Sequence, residues 1–525
     1  MLRRLLAAAT AGAASASGLA ATLPATASPL RRARGGNLTT LDPHRAISAA
    51  DMEIAPDMFE GLTAVDALGA VVPGLASRWE VSSDGLQWRF TLRRGLSWSD
   101  GRPLTAADVA WSLNRLVAPG TAALLGYRFD AIRNARALRT AQADAGAIGV
   151  AAVDASTVRI DLEHADTDLL KLLAIAYVVP RHVIDVAGRE WAKPERIVVC
   201  GAFRPVRWSQ GGTLSLERNP RYHAAGSVGA AKLDWVMGID DATRLRLFRA
   251  GELDVAQIAE GAQLALAKRE LTARLRSVPF YGGGWIGLNT RRPALRDARV
   301  RTALAMAVDR TLLTSRVRAL GEVPTESIVP DAVADYPLRA SPTHAMLSMP
   351  QRVARARTLL TAAGIDARRP VELVAIFSQN PLTQRSFLAL NAMWSPLGVR
   401  VAARGLESRA YNQALTQGNF DLMEYGPFSV VQSAASFIGR FQTGSFLNYS
   451  GYSNPEVDRL IALAERQNDP AQRARYYLEA ERLLLQDYPV IPLFSSMTHC
   501  LVAARVRGWA ANSGLSLPSR YLSVS

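Results

Sequence analysis

Two hydrophobic periods interleave along the whole chain. Trp88-Arg89-Phe90-Thr91-Leu92 alternates residue by residue, as a half-buried strand does. Asp84-Gly85 and Asp100-Gly101 on either side are tight-turn dipeptides. Thr105-Ala106-Ala107-Asp108 then places a hydroxyl and a carboxylate where they satisfy the first free amides of a helix, predicted to run through Leu116. Val300, Leu304, Ala307 and Val308 recur at helical spacing and predict a helix that opens near Asp297 and runs on toward Gly321. Residues 351–363 predict another, preceded by Pro350 and stopped by Gly364. Asn454-Pro455 and Asp469-Pro470 each put a capping side chain before a proline at the first helical position. Gln472 would complete a capping box ahead of a long helix ending near Gln486, and Val490-Ile491-Pro492-Leu493-Phe494 follows as a short apolar strand. With neither an internal repeat nor a low-complexity linker, the pattern is that of an α/β chain.

Composition bounds this picture. At 525 residues, 49% hydrophobic and 20% charged, the chain is too long for one core, which predicts two or three domains and excludes disorder and coiled coil. Two cysteines, Cys200 and Cys500, exclude a disulfide scaffold and a multi-cysteine metal site. They could bridge in an oxidising compartment, but buried thiols are the favoured expectation. The formal charge of +15 invites a nucleic-acid partner. Its basic residues, however, are four Lys and 57 Arg spread evenly, with no recognised nucleic-acid module, so no such partner is expected.

The first residues read as an address. Arg3 and Arg4 precede an uncharged run over residues 5–23, and Ala25-Thr26-Ala27 offers the small-x-small pattern of a cleavage site. A signal peptide over residues 1–27 predicts export to a Gram-negative periplasm, by the Sec route or the twin-arginine route. Its removal would lower the formal charge to +13.

The most informative stretch runs from Val72-Pro73-Gly74-Leu75-Ala76-Ser77-Arg78-Trp79 through Asp84-Gly85 and Trp98-Ser99-Asp100-Gly101 to Ala107-Asp108-Val109. Others follow in order: Leu41-Asp42-Pro43-His44, Glu217-Arg218-Asn219-Pro220, Gly251-Glu252-Leu253-Asp254, Asp297-Ala298-Arg299-Val300-Arg301, Gly418-Asn419-Phe420-Asp421 and Tyr452-Ser453-Asn454-Pro455. Together they resemble the family of extracellular solute-binding proteins that serve dipeptide, oligopeptide and nickel ABC importers, over about residues 30–510.

The resemblance implies a periplasmic-binding-protein-like α/β fold (type II, cluster C), a two-lobed clam with an additional inserted small domain. Lobe I would combine residues 28–62, 175–278 and 491–525. The insert would be residues 63–174 and lobe II residues 279–490. Hinge crossings would lie near residues 280–285 and 492–496. The implied function is a monomeric receptor that captures peptides or peptide-like solutes between its lobes. It would deliver them to ABC permease transmembrane subunits driven by cytoplasmic ATPases, with no cofactor, metal or catalysis. Residues expected at the cleft are Ile47, Ser48, Ala49, Tyr127, Gly283, Gly284, Trp285, Tyr425, Phe428, Val430, Phe494 and Ser495. Of these, the aromatics are either pocket walls or ordinary core.

Three readings of the residues stand beside the resemblance. Gly282-Gly283-Gly284-Trp285-Ile286-Gly287 matches a dinucleotide fingerprint, but no helix N-terminus follows, so it reads as a crossing strand whose glycines admit a ligand backbone. The six histidines are scattered and form no metal motif, and no G-x-S-x-G elbow supports the rival reading of an exported hydrolase. Peptide-binding relatives carry an Asp that pairs with the ligand's α-ammonium, and here its position falls at or next to Val430. A desolvated ammonium without a counter-charge is costly. Either Glu424 or another acid substitutes, or the ligand is blocked, cyclic or non-peptide, for example a chelated metal or a sugar derivative. An Arg-rich receptor tilts that choice toward neutral or acidic ligands.

Overall fold

A computed structural model of the chain describes residues 28–142, 148–514 and 517–525. The expected signal peptide, residues 1–27, lies outside the described residues. One mixed eleven-stranded sheet runs through the molecule. Its strands follow in the spatial order Val399–Leu406, Val371–Ser378, Leu422–Tyr425, Leu275–Leu288, Val490–Val502, Val255–Ile258, Leu30–Ala33, Lys232–Val236, Thr213–Arg218 and Phe203–Trp208, and Val323–Pro324 adds to the side of Val490–Val502.

Leu275–Leu288 and Val490–Val502 cross from one half of the sheet to the other. Residues 275–279 pair with 497–501 beside Val255–Ile258, and residues 285–287 pair with 490–492 beside Leu422–Tyr425. Between these ladders the register slips twice, at Pro279/Gly283 and at Gly284/Trp285. The strand expected to be short, residues 490–494, is therefore 13 residues long, because its second half finds partners of its own.

Separate apolar cores lie on the two sides of the slip. One gathers Ile54, Phe59, Phe90, Leu113, Trp191, Trp235 and Leu522. The other holds Trp285, Leu304, Tyr336, Phe387, Trp394, Phe437 and Leu484. A second sheet, in the order Ala76–Val81, Gln87–Leu92, Thr157–Asp161 and Val150–Ala152, packs into the first core through Phe90, Val158 and Ile160. The fold is an α/β clam of two lobes with a small added sheet.

Local chemistry explains most element boundaries. Asp108 accepts the Thr105 amide at 2.9 Å, completing the box that starts the helix Ala106–Val117. Asn454 and Asp469 cap Pro455–Glu465 and Pro470–Asp487 as expected, but Asp469 does so alone, accepting from Ala471, and Gln472 takes no part in the cap. The helix expected to run from Asp297 toward Gly321 instead stops at Met306. Asp309 caps a new turn, Arg310–Leu312, and the Arg310 guanidinium satisfies carbonyls of Ala305, Val308 and Pro492, so the chain can change direction inside the core. Cys200 and Cys500 are both free thiols; Cys200 is buried, with its sulfur 3.6 Å from the Val178 carbonyl.

Candidate ligand cleft between the lobes

Two adjoining cavities lie between the cores, of about 240 Å³ and 170 Å³. They share Met52, Leu124, Leu125, Ile175, Val430 and Val431, so they form one cleft with a mainly apolar waist. Its lobe I wall starts at the helix Ala49–Met58. The Ser48 hydroxyl and the Asp51 carboxylate cap that helix reciprocally, which fixes the rotation of the face carrying Met52, Glu53 and Pro56 toward the larger cavity.

The expected cleft residues divide into two sets. Tyr127, Tyr425, Phe428 and Val430 meet around the smaller cavity, and Tyr127 stands edge-on to Phe446 at 5.0 Å. The other eight line neither cavity. Ile47 is 65% exposed, the Ser48 side chain is taken up by the cap, and the Ala49 carbonyl accepts from Arg34. Trp285 is a core side chain, packed on Tyr425 and Phe441 at 5.4 and 5.7 Å. A Cβ on Gly284 would come within 2.1 Å of the Phe494 ring, and one on Gly283 within 2.7 Å of the Phe494 carbonyl oxygen. What these glycines admit is therefore Phe494 of the partner strand, its ring at Gly284 and its carbonyl at Gly283. Phe494 is sandwiched further by Arg318, 4.4 Å from its ring, and Ser495 is bonded to Asp331.

Sequence reasoning did not reach several residues that do line the cleft. Tyr281 lies within the first register slip. Asn512, Gly514, Pro518 and Arg520 come from the C-terminal tail, which carries no periodicity that would place it there. Lys171 belongs to the short helix Leu169–Leu173, whose run of leucines reads simply as core.

Charges around the cleft are matched with care. Glu53 bridges Arg32 and Arg34, and Glu60 holds His223 at 2.6 Å, Arg520 at 3.2 Å and the Tyr222 hydroxyl at 2.9 Å. Lys171 reaches across the opening: it donates to Asp168 at 2.9 Å on its own side, and to Asp335 at 3.0 Å and the Gln432 carbonyl at 2.6 Å on the other. Burial alone would lower the Lys171 pKa, but the two carboxylates outweigh it and hold it above the usual lysine value. Ser433 bonds Asp168 across the same opening. Close by, burial raises Asp166 and Glu465 to about 6 each; the Asp168 charge adds to the first and the Asp166 charge to the second, while His164 opposes both. His44, on the lobe I wall, is pushed down to about 4 by burial and by the Arg115 charge. It is therefore neutral at pH 7, and its Nε2 donates to the Tyr177 carbonyl at 2.8 Å.

Two side chains decide what the lobe II wall can hold. Glu424 accepts the Thr383 hydroxyl at 2.5 Å and lines neither cavity; burial raises its pKa, with Thr383 and Arg318 opposing. It does not replace the missing acid at Val430. Arg440 does line the smaller cavity, and donates to the Ser436 carbonyl at 2.6 Å, the Tyr425 hydroxyl at 2.6 Å and the Phe428 carbonyl at 3.1 Å.

This geometry can be set against known proteins. The sequence model of bacterial extracellular solute-binding proteins, family 5 Middle, matches residues 70–448. The chain belongs to that family. Its members are solute-binding proteins. The probable deoxycholate-binding periplasmic protein YgiS of Escherichia coli is 32% identical over 87% of this chain and 85% of its own length. The periplasmic oligopeptide-binding protein OppA of Salmonella typhimurium is 29% identical over 93% and 90%. The structure of the Escherichia coli murein tripeptide binding protein MppA superposes with a TM-score of 0.86 at 28% identity, covering 94% of this chain and 98% of that one. The unliganded open form of MppA gives 0.77. This chain thus lies nearer the first arrangement of the lobes than the open one, as the contacts across the opening at Lys171 require.

Proposed function

We propose that this chain is the periplasmic receptor of an ABC importer, closing its lobes over a peptide or peptide-like solute and presenting the closed complex to permease transmembrane subunits. The observation that carries this reading is the inter-lobe cleft itself, apolar at its waist and spanned by Lys171. A ligand that touches both walls binds the closed arrangement better than the open one, and that difference in affinity drives closure. Relatives that bind oligopeptides and a murein tripeptide support the peptide class.

Two rigid bodies move in this reading. Residues 63–174 share one apolar core with residues 28–62, 175–278 and the C-terminal tail, so they travel with lobe I, and residues 279–490 swing as lobe II. The hinge is the pair of crossings at residues 280–285 and 492–496, where the ladder already slips. The deciding experiment is native mass spectrometry of protein isolated from its own host, followed by release of the bound small molecule and small-angle scattering with and without it. A released peptide-like solute that compacts the protein supports the reading; hydrolysis of a peptide or ester panel by the pure protein would overturn it.

A second reading, a non-peptide solute in the same cleft, rests on Val430 standing where the ammonium-binding Asp is expected and on Glu424 being bonded to Thr383 outside the cleft. The relative named for deoxycholate supports it.

A further inference from the structure

The cleft's charge count has one member left over. Glu53 and Glu60 on the lobe I wall are each neutralised by cations, and Lys171, Arg128 and Arg520 each have a carboxylate partner. Arg440 differs. Its three acceptors are two carbonyls and a phenol, and among the described residues no carboxylate pairs with it.

Those three bonds also fix its pose. They use one N–H on each of its nitrogens, leaving one donor on each terminal nitrogen of a planar fork suited to a carboxylate. The Tyr425 ring lies 5.5 Å from the guanidinium, and Tyr425 is itself packed against Trp285, so the fork sits on a rigid support. The Phe428 carbonyl that Arg440 holds is two residues from Val430, where an acid would have to stand to receive an α-ammonium.

From this juxtaposition we propose that the solute of this receptor is an apolar-bodied carboxylate without a free ammonium group, its carboxylate received by Arg440 at the smaller cavity. The inference rests on the receptor reading above and reverses the sign of charge expected at this end of the cleft. An anion gives the half-buried guanidinium its missing counter-charge through a charge-assisted fork. An ammonium placed there would meet a like charge and no acid.

The test is a set of hydrophobic tripeptides, each offered as the free peptide, the N-acetyl peptide and the N-acetyl peptide amide, with affinity read by calorimetry on the full-length mature chain. The N-acetyl peptides should bind at least tenfold tighter than either other form. Arg440→Gln should erase the preference for carboxylate over amide while leaving amide binding in place. Because Arg440 also holds two loop carbonyls, Val430→Asp gives a second arm: the new acid should neutralise Arg440, weaken the N-acetyl peptides at least tenfold and favour the free peptides. Free peptides binding the unaltered protein best, or all three forms binding alike, overturns the inference and leaves the receptor standing. Binding by none of the three sinks the peptide-receptor reading together with it.

Discussion

The lobes meet in two places built on opposite principles. At the hinge the contact is main chain: two long strands exchange backbone hydrogen bonds on both sides of a double register slip, with glycines packed under Phe494. At the rim it is side chain: Lys171, Asp168, Asp335 and Ser433 clasp across the opening. Backbone ladders flanking a short unpaired stretch bend without coming apart. An ionic clasp has no intermediate: it is made or broken, and water stands ready to solvate each half. In the closure proposed above, the hinge would supply the path of motion, and the rim would add to the ligand's preference for the closed end of it.

That comparison breaks hardest at Lys171. Lys171→Met leaves Asp168 and Asp335 facing each other with one shared cation gone. Removing one partner of a buried pair costs about 3–5 kcal/mol, and partial exposure of this site brings the expected loss to about 2–3 kcal/mol. Ligand affinity should fall roughly 100-fold by calorimetry, with scattering showing a more open protein and little change in its melting temperature. Unchanged affinity and compactness would remove the rim from the closing mechanism.

Gly284→Ala attacks the hinge. The added methyl overlaps the Phe494 ring, so one strand must shift, at about 1–3 kcal/mol of overpacking. This loss should appear in the melting temperature rather than selectively in affinity, and Phe494→Leu in the same chain should restore most of it. An equal loss of closure and stability would show that hinge and rim are not separable.

The gentlest test is pH. Asp166 and Glu465, on opposite sides of the rim, are each raised by burial to about 6 from ordinary carboxylate values. A raised carboxylate contributes stability that is complete below its unfolded pKa and is lost as pH rises through the folded value. Acidification from pH 7.5 to 5.5 should therefore tighten the rim and improve ligand affinity a few-fold. The double variant Asp166→Asn with Glu465→Gln should flatten that dependence. His44 and His344, held down to about 4 by burial, act the other way on global stability, which falls as pH drops below the unfolded histidine value, so affinity and melting temperature must be read separately.

How much of this was legible in the sequence depends on the range of the interaction. Caps were legible because Asp108, Asn454 and Asp469 act on amides two or three residues away. The ordered motifs made the family legible, and the family made the clam legible. The extent of the strand Val490–Val502 was not, since it depends on residues 255–258 and 275–279 arriving beside it. Eight of the twelve expected cleft residues line neither cavity for the same reason. Tyr425, Phe428 and Val430 follow a motif at short range, whereas Trp285 and Phe494 are apolar residues whose role as core or wall is settled only by what packs over them. Arg440 was invisible as one of 57 arginines. Its distinction is the partner it lacks, and absence of a partner leaves no trace in a string of residues.

The strand Leu30–Ala33 lies between Val255–Ile258 and Lys232–Val236, in the middle of the sheet rather than at its edge. Arg32 within it donates to the Leu517 carbonyl at 2.9 Å and the Ser519 hydroxyl at 2.7 Å. During synthesis the earliest of these partners thus waits for nearly the last. The proposed lobe II can assemble from the single stretch 279–490, while in lobe I the strand Leu30–Ala33 waits for residues 232–258 and Val255–Ile258 waits in turn for Val490–Val502. Pairing over such sequence distances is slow. Whatever keeps this chain from aggregating on its way to the folded state has lobe I to protect, and has to protect it until the strand Val490–Val502 is delivered.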